Sequence, residues 1–389
     1  SSDLVGESFN KKEFKSFNKK CDKKALKNFI VSKKYMTKKR LTNFANMNNA
    51  RGKTSYIELS AKKDGTLTGM RIKHIGDLGA YLKGPTAATH VLSSGICEGS
   101  YIIPNVDLTT HSVYTNKVPD GAFRGYGRPE GMFVIERGMA LLAEELGMDP
   151  AELRRKNYIP KDAFPYKTTI GESYDSGDYE KGLNLALKLS DYKKLRKEQE
   201  ELRKEGRYIG IGVASYVKSG GAGPHPTIAM GGGWEVARVR MHRDGKVTVI
   251  TGTSPHGQGL ETTFAQIAAE VLELPIEDVT VKYGDTAEMP YGLGTFGSRS
   301  MAVGGPAVLN ASKKVKDKLQ KIAAHKLDVA PNKLILEDGV FSVKGQSDKT
   351  IPIKEAANQA YYGLGLPEGM EPGLDEINFF QPANITFSS

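Results

Sequence analysis

Cysteine is almost missing from this 389-residue chain: Cys21 and Cys97 are the only two. Two thiols cannot build a disulfide framework. Without a CxxC pair they also cannot supply an iron–sulfur cluster or a structural zinc site. Cys97 lies in an apolar, glycine-flanked stretch and is expected to be a buried thiol. The seven His are scattered, and no pair has HxxxH ligand spacing, so a metal held by protein ligands is not expected. No apolar run approaches membrane-spanning length. The N-terminus lacks the charged, apolar and small-residue order of a signal peptide, and a cytoplasmic location is expected. A P-loop and a Gly-x-Ser-x-Gly elbow are also lacking, which removes the commonest phosphate-cradle and serine-hydrolase readings.

Charge is present but uneven. The formal net charge is +10. Residues 1–50 hold 13 Lys or Arg against 4 Asp or Glu, while the other 339 residues hold 42 against 41. The body is therefore nearly neutral. A nucleic-acid face needs basic residues spread over a folded surface with base-reading partners, and nucleic acid is not expected as a partner. The stretch Lys11 to Arg40 reads as a solvated helix face or arm, with Phe14, Phe17, Leu26, Phe29 and Ile30 placed to line one side.

Glycine is abundant, 43 residues, and falls in clusters. Between the clusters, strand and helix patterns are mixed. Ser55–Ala61 and Leu67–His74 flank the turn Lys63-Asp64-Gly65 and predict a hairpin. Val106–Tyr114, Tyr208–Tyr216, Trp234–His242, Lys246–Thr251 and Val279–Tyr283 also read as strands. Lys333–Leu336 and Val340–Lys344 read as a second hairpin. Helices are expected over 131–146, 192–206, 261–274 and 306–327. Another opens at Asp149-Pro150-Ala151-Glu152, with Asp149 as N-cap, Pro150 at the first position and Glu152 completing a capping box. The fold class is α+β, mixed sheets with flanking helices and no regular βαβ alternation. Three parts are expected: a lysine-rich segment 1–50, a subdomain 51–206 and a subdomain 207–389.

Three glycine loops carry candidate chemistry. The first, Thr251 to Gly259, joins a strand to a helix N-terminus, where unpaired N–H groups and the helix dipole favour an anion or polar heterocycle. Gly257 and Gly259 admit a ligand to the backbone, and Gln258 offers both a donor and an acceptor. The second, Gly292 to Gly305, formally contains GxGxxG. It neither follows a strand directly nor opens a helix, so a dinucleotide fingerprint is rejected. What remains is Thr295, Phe296, Gly297, Ser298, Arg299 and Ser300, hydroxyls and one Arg suited to phosphate, or equally a tight packing loop. The third, Gly121 to Gly131, holds Phe123, Arg124, Gly125 and Arg128. Arg128 and Glu130 read as a surface pair of small energetic weight.

Three such loops in this order resemble the molybdopterin-binding large subunit of the xanthine oxidase family. The resemblance runs through Asp77-Leu-Gly-Ala-Tyr81, Val113-Tyr-Thr-Asn-Lys117, Ala122-Phe-Arg-Gly-Tyr-Gly-Arg-Pro-Glu130 and Leu146 to Asn157. It continues through Tyr174-Asp-Ser-Gly-Asp-Tyr179, Gly221-Ala-Gly-Pro224, Gly257-Gln-Gly259, Thr262 to Gln266, and Pro290 to Ser300. Met370-Glu-Pro-Gly-Leu374 is similar to the carbon monoxide dehydrogenase branch, and aldehyde oxidoreductases are also close. The match covers roughly 40–387.

The resemblance implies a molybdenum–molybdopterin cofactor, in its cytosine dinucleotide form. Gly257, Gln258 and Gly259 would contact the pterin. Thr295, Phe296, Gly297, Ser298, Arg299 and Ser300 would hold the pterin or dinucleotide part. Phe123, Arg124 and Gly125 would line the substrate side. It also implies oxidation of a substrate carbon with water as oxygen source, and electron exit to FAD and 2Fe-2S clusters on a flavin-binding medium subunit and an iron–sulfur small subunit. The copper-binding Cys of carbon monoxide dehydrogenases aligns with Gly125, so an aldehyde or heterocycle is expected in place of carbon monoxide. The family's upstream glycine loop and its catalytic Glu near the C-terminus have no counterpart, so the chain is expected to need the remaining parts of the large subunit. A scaffold module without cofactor, carbon monoxide oxidation, and a role for residues 1–50 as a nucleic-acid or acidic-surface tether are the competing expectations.

Overall fold

The computed structural model describes residues 51–82, 88–221, 233–289, 291–383 and 386–388. The expected lysine-rich segment 1–50, Cys21 and most of the Gly221–Pro224 motif lie outside them. The described residues fall into two compact units. Among the described residues one draws on 51–56, 73–94 and 109–130; the other on 57–72, 95–108 and 131–388.

Strands β1 (Lys53–Ala61), β2 (Leu67–Gly79) and β3 (Val106–Tyr114) form a three-stranded sheet in that order. The expected hairpin is there: Lys62 N–H donates to Thr66 O at 2.8 Å around Gly65, whose φ is +87°. β2 runs five residues past the expected end. Helix Ala88–Ser94, which the sequence pattern did not mark, belongs to the first unit.

In the second unit, helices Arg128–Glu145 and Pro150–Asn157 are joined through Gly147, at φ +62°. Asp149 caps the second helix, its Oδ1 accepting from Ala151 N at 2.8 Å and Glu152 N at 3.3 Å. Glu152 pairs with Arg155 and does not complete the expected capping box. The cation one turn on offers a stronger partner than a neutral amide does. Short strands β4 (Tyr166–Lys167) and β5 (Ser173–Tyr174) pair with each other, and helices Tyr179–Leu189 and Tyr192–Lys204 follow. These elements enclose a core of Ile72, Tyr101, Ile103, Ile135, Met139 and Leu153. Beneath it the buried Glu136 carboxylate accepts from Arg154 Nε at 2.8 Å.

Residues 208–216 are not a strand, contrary to expectation. Their exposure alternates as in a strand, but among the described residues no backbone pairs with them. A side-chain pattern can specify a strand face without supplying the ladder partner. Only β6 (Lys218–Gly220), just beyond, finds one, in β14 (Thr386–Ser388).

A second core is built on a four-stranded sheet. β7 (Glu235–Met241), β8 (Val247–Thr251), β9 (Val279–Tyr283) and β13 (Asp375–Phe380) lie in the order β13-β7-β8-β9. β8 and β9 are parallel and connected by helix Leu260–Leu272, a single βαβ unit within an otherwise antiparallel sheet. Helix Gly305–Leu327 packs on β7 and β13. A meander, β10 (Leu334–Glu337), β11 (Val340–Val343) and β12 (Gln346–Pro352), adds a third strand to the expected hairpin. Helix Ile353–Tyr362 then buries Ile353, Ala356, Ala357 and Ala360 against this core.

Candidate functional site

The parallel pair β8 and β9 places two of the three glycine loops together. Thr251, the last residue of β8, registers with Tyr283, the last of β9. Parallel neighbours end on the same side, so the chain leaving each emerges next to the other. Clefts of this kind lie outside the carboxyl ends of parallel strands. The loops touch backbone to backbone: a Cβ on Gly292 would stand 2.5 Å from Gly252 Cα, and one on Gly252 would stand 2.6 Å from Gly292 Cα. Only glycine at both positions allows this approach.

Side chains then tie the loops. Ser254 N–H donates to Thr295 Oγ1 at 2.9 Å, and that hydroxyl donates back to Ser254 O at 2.6 Å. Ser300 Oγ donates to Thr295 Oγ1 at 3.1 Å. Lys218 Nζ donates to Ser298 Oγ at 2.6 Å, and Gly221 N–H to Gly297 O at 3.1 Å. Ser298 sits at φ +59°, a strained conformation for a non-glycine residue.

The free rim of this assembly is Gly257, Gln258 and Gly259, all exposed. Gly257 and Gly259 have φ of +89° and +75°, and a Cβ on either would meet nothing within 4 Å. The same openness holds at Gly294, φ +87°. Gly259 is the N-cap of helix Leu260–Leu272 and provides no side-chain cap, so the first N–H groups of the helix are open to a ligand. Gln258 Oε1 accepts from His256 N–H, which curls the rim back on itself.

Arg299, read from the sequence as a phosphate ligand, is wholly buried. Its guanidinium pairs with the equally buried Glu235 and donates to Gly294 O at 2.7 Å and Trp234 O at 2.6 Å. It also lies over the Phe296 ring at 5.2 Å. Its charge is balanced within the protein, and its role is to hold the 292–300 loop from below. The exposed Ser298 hydroxyl, which accepts from Lys218 and can still donate, and backbone N–H groups remain for a ligand. Glu235 was missed by sequence reasoning. The available signal is an acid on the strand face shared by Ala237, Val239 and Met241. Gly252 and Gly292 were likewise not singled out as a contacting pair.

The third loop belongs to the first unit. Phe123 and Arg124 are exposed there. Arg51 Nη2 donates to Arg124 O at 2.8 Å, and its guanidinium lies 5.2 Å from the Phe123 ring centroid. Glu130 stands 3.8 Å from Arg51, so the expected Arg128–Glu130 surface pair is replaced by Arg51–Glu130. Gly125 and Gly127 have φ of +99° and +87°. A Cβ at Gly127 would fall 2.0 Å from Thr89 O, and one at Gly125 would fall 2.4 Å from Pro129 Cγ.

A polar cluster holds this loop. Thr89 Oγ1 donates to Asp120 Oδ2 at 2.8 Å, and Ser93 Oγ donates to Gly127 O at 2.7 Å. Lys53 Nζ donates to Thr89 O at 2.9 Å. His90 lies 3.4 Å from Asp120 and shares a hydrogen bond with Ser112 Oγ at 2.7 Å. Burial, with the Lys53 and His90 charges adding to it, lowers the pKa of His74 to about 4.

Two family models, each described as a molybdopterin cofactor-binding domain, match residues 32–158 and 185–388. The chain is 40% identical to the carbon monoxide dehydrogenase large chain of Hydrogenophaga pseudoflava over 85% of its own length and 42% of that protein. It superposes on carbon monoxide dehydrogenase from Oligotropha carboxidovorans with a TM-score of 0.80 at 38% identity, covering 90% of this chain and 44% of that one. For quinoline 2-oxidoreductase from Pseudomonas putida 86 the TM-score is 0.81 at 30% identity, covering 89% and 44%. The chain spans less than half the length of these relatives.

Proposed function

The chain belongs to the molybdopterin cofactor-binding domain family, and from that premise we propose that it is the cofactor-holding part of a molybdenum hydroxylase large subunit acting on an aldehyde or an electron-poor heterocycle. The observation that carries this reading is the joined pair of loops beyond β8 and β9, with open space at Gly257, Gly259 and Gly294. Those glycines leave a cradle that a side chain would fill, and a flat heterocycle fits beside such bare backbone. Gly257, Gln258 and Gly259 take the pterin edge. The Ser298 hydroxyl and the Phe296–Gly297 backbone take the phosphate of a dinucleotide tail, in the cytosine form, while Thr295 and Ser300 hold the loop in shape. Arg299 preorganises that loop. Phe123, Arg124 and Gly125 face the substrate. The two halves of the match act as cofactor-binding subdomains, 51–206 and 207–389.

When bound, the cofactor supplies two-electron oxidation of a carbon centre with water as the source of oxygen. FAD and 2Fe-2S centres on medium and small subunits would take the electrons. A Cys-ligated cluster needs several thiolates, and this chain has two cysteines, of which Cys97 is buried. The remaining parts of the large subunit supply the general base.

Carbon monoxide is the second reading, favoured by the 40% identity to a carbon monoxide dehydrogenase large chain. Gly125 weighs against it. It stands where that branch is expected to carry its copper-binding Cys, and a Cβ there would meet Pro129 Cγ at 2.4 Å. A thiolate at this position needs a different loop.

The test is molybdenum content and pterin fluorescence of the protein purified from its source with its co-purifying polypeptides. Near-stoichiometric molybdenum is expected, and Gly257→Val, which fills the open space, should lower it about tenfold. Metal-free wild-type complex, or undiminished molybdenum in the variant, would overturn the assignment. Turnover of carbon monoxide in preference to aldehydes and N-heterocycles would overturn the substrate reading.

A further inference from the structure

Arg51 has a backbone conformation that ordinary side chains avoid. Its φ is +71°, although the residue after it is Gly52. Two bonds pin the turn: Lys53 N–H donates to Arg51 O at 3.0 Å, and Asp77 N–H donates to Gly52 O at 2.8 Å. A non-glycine residue stays in the left-handed region only where its surroundings hold it there, and such residues cluster at functional sites.

The Arg51 side chain grips the 121–131 loop at three points. Nη2 donates to Arg124 O at 2.8 Å. The guanidinium carbon lies over the Phe123 ring, 5.2 Å from its centroid. Nη1 stands 3.8 Å from the Glu130 carboxylate, whose buried Oε2 has no hydrogen-bond partner among the described residues. A Cβ on Gly125 would lie 3.9 Å from Nη2, so the clamp also reaches the bare backbone there. A planar guanidinium can donate from its edges while its face meets a ring, whereas an ammonium is a point charge and cannot do both. Phe123 and Arg124 remain exposed, so the loop is fixed without being covered. Lys53 reaches the same loop by another route, through the buried Ser93, which donates to Gly127 O at 2.7 Å.

We propose that Arg51 is a positioning residue for the oxidation, acting through Phe123 and Arg124. It holds Phe123–Gly125 so that a bound substrate presents its carbon in one orientation. This rests on the reading of Phe123, Arg124 and Gly125 as the substrate side. A loosened loop still offers the Phe123 ring to a substrate but places it less accurately, and a misplacement of about 1 Å costs about 100-fold in rate. Loss of the clamp therefore acts on kcat more than on KM.

The test uses the complex purified with its co-purifying polypeptides, carrying Arg51→Lys or Arg51→Ala. Benzaldehyde and quinoline, one probe for each proposed substrate class, are oxidised with a dye as electron acceptor. In both variants kcat should fall about 30-fold while KM changes by less than about threefold. The Lys variant keeps a charge beside Glu130, so its molybdenum content and urea midpoint should match wild type. Millimolar methylguanidinium should restore the Ala variant and leave the Lys variant unchanged. Trypsin gives a readout free of cofactor and substrate: cleavage after Arg124 should quicken about tenfold in both variants, with cleavage after Lys63 in the β1–β2 turn unchanged. Wild-type kcat in a molybdenum-loaded Lys variant, a change confined to KM, or unaltered cleavage after Arg124 would overturn the positioning role. A wild-type complex that holds molybdenum but oxidises neither probe would instead overturn the substrate-side reading beneath it, and a metal-free wild type the cofactor assignment.

Discussion

Replacing Glu235 by Gln tests the claim that Arg299 holds the 292–300 loop. Both side chains are fully buried, and the guanidinium reaches Glu235, Gly294 O and Trp234 O. The amide preserves shape and one acceptor but removes the balancing charge. A buried charge left without its partner costs about 3–5 kcal/mol. With an unfolding slope of about 2 kcal/mol per molar urea, the midpoint should fall by about 1.5–2.5 M. Trp234 is the only tryptophan, and its ring stacks on Tyr291 at 4.4 Å beside the ion pair. Its fluorescence therefore reports the transition locally. The double variant Glu235→Leu with Arg299→Met removes both charges together and should recover most of the loss. A midpoint for Glu235→Gln within about 0.3 M of wild type would refute the reasoning, because a shift that small on the same slope is below about 1 kcal/mol.

Gly292→Ala forces a methyl to within 2.5 Å of Gly252 Cα. It should destabilise the chain by about 1–3 kcal/mol in the same urea assay, and it should reduce molybdenum content in the purified complex. Asp77 is held at about 2 from an ordinary 3.8: burial opposes its charge, but Lys117, Thr115 and the Gly79 N–H outweigh it. Its contribution is therefore present above pH 4 and lost as pH falls towards 2, so Asp77→Asn should flatten the acid limb of a stability–pH curve. His74, lowered by burial to about 4 from 6.5, contributes stability above pH 6.5 that is lost as pH falls to 4, where the unfolded chain takes up the proton first. His74→Gln should lessen the pH dependence in that window, measured by thermal midpoint.

Much of the local architecture is written in short stretches of the sequence. Val106–Tyr114 and Val279–Tyr283 alternate with period two, and the structure forms strands over those residues. Asp149-Pro150 opens a helix because the Asp carboxylate reaches two N–H groups that have no helical partner. Asp244-Gly245 turns because Gly245 accepts φ +87°. Each of these is decided by dihedral preference and hydrogen bonding within about ten residues. The glycine loops were legible for the same reason, as positions where bare backbone is exposed.

The assembly of the site was decided by tertiary structure. Nothing near Thr251 says that its loop meets Gly292. That follows from β8 and β9 pairing in parallel across the helix between them, which brings two carboxyl ends together. Arg299 looked like a free cation until Glu235, 64 residues earlier, was placed beside it in the core. Tyr208–Tyr216 has the side-chain pattern of a strand, yet its ladder depends on a backbone that local preference cannot provide. Residue type and period set what a segment can become. Which backbones pair and which charges cancel depend on burial and proximity between segments far apart in the chain.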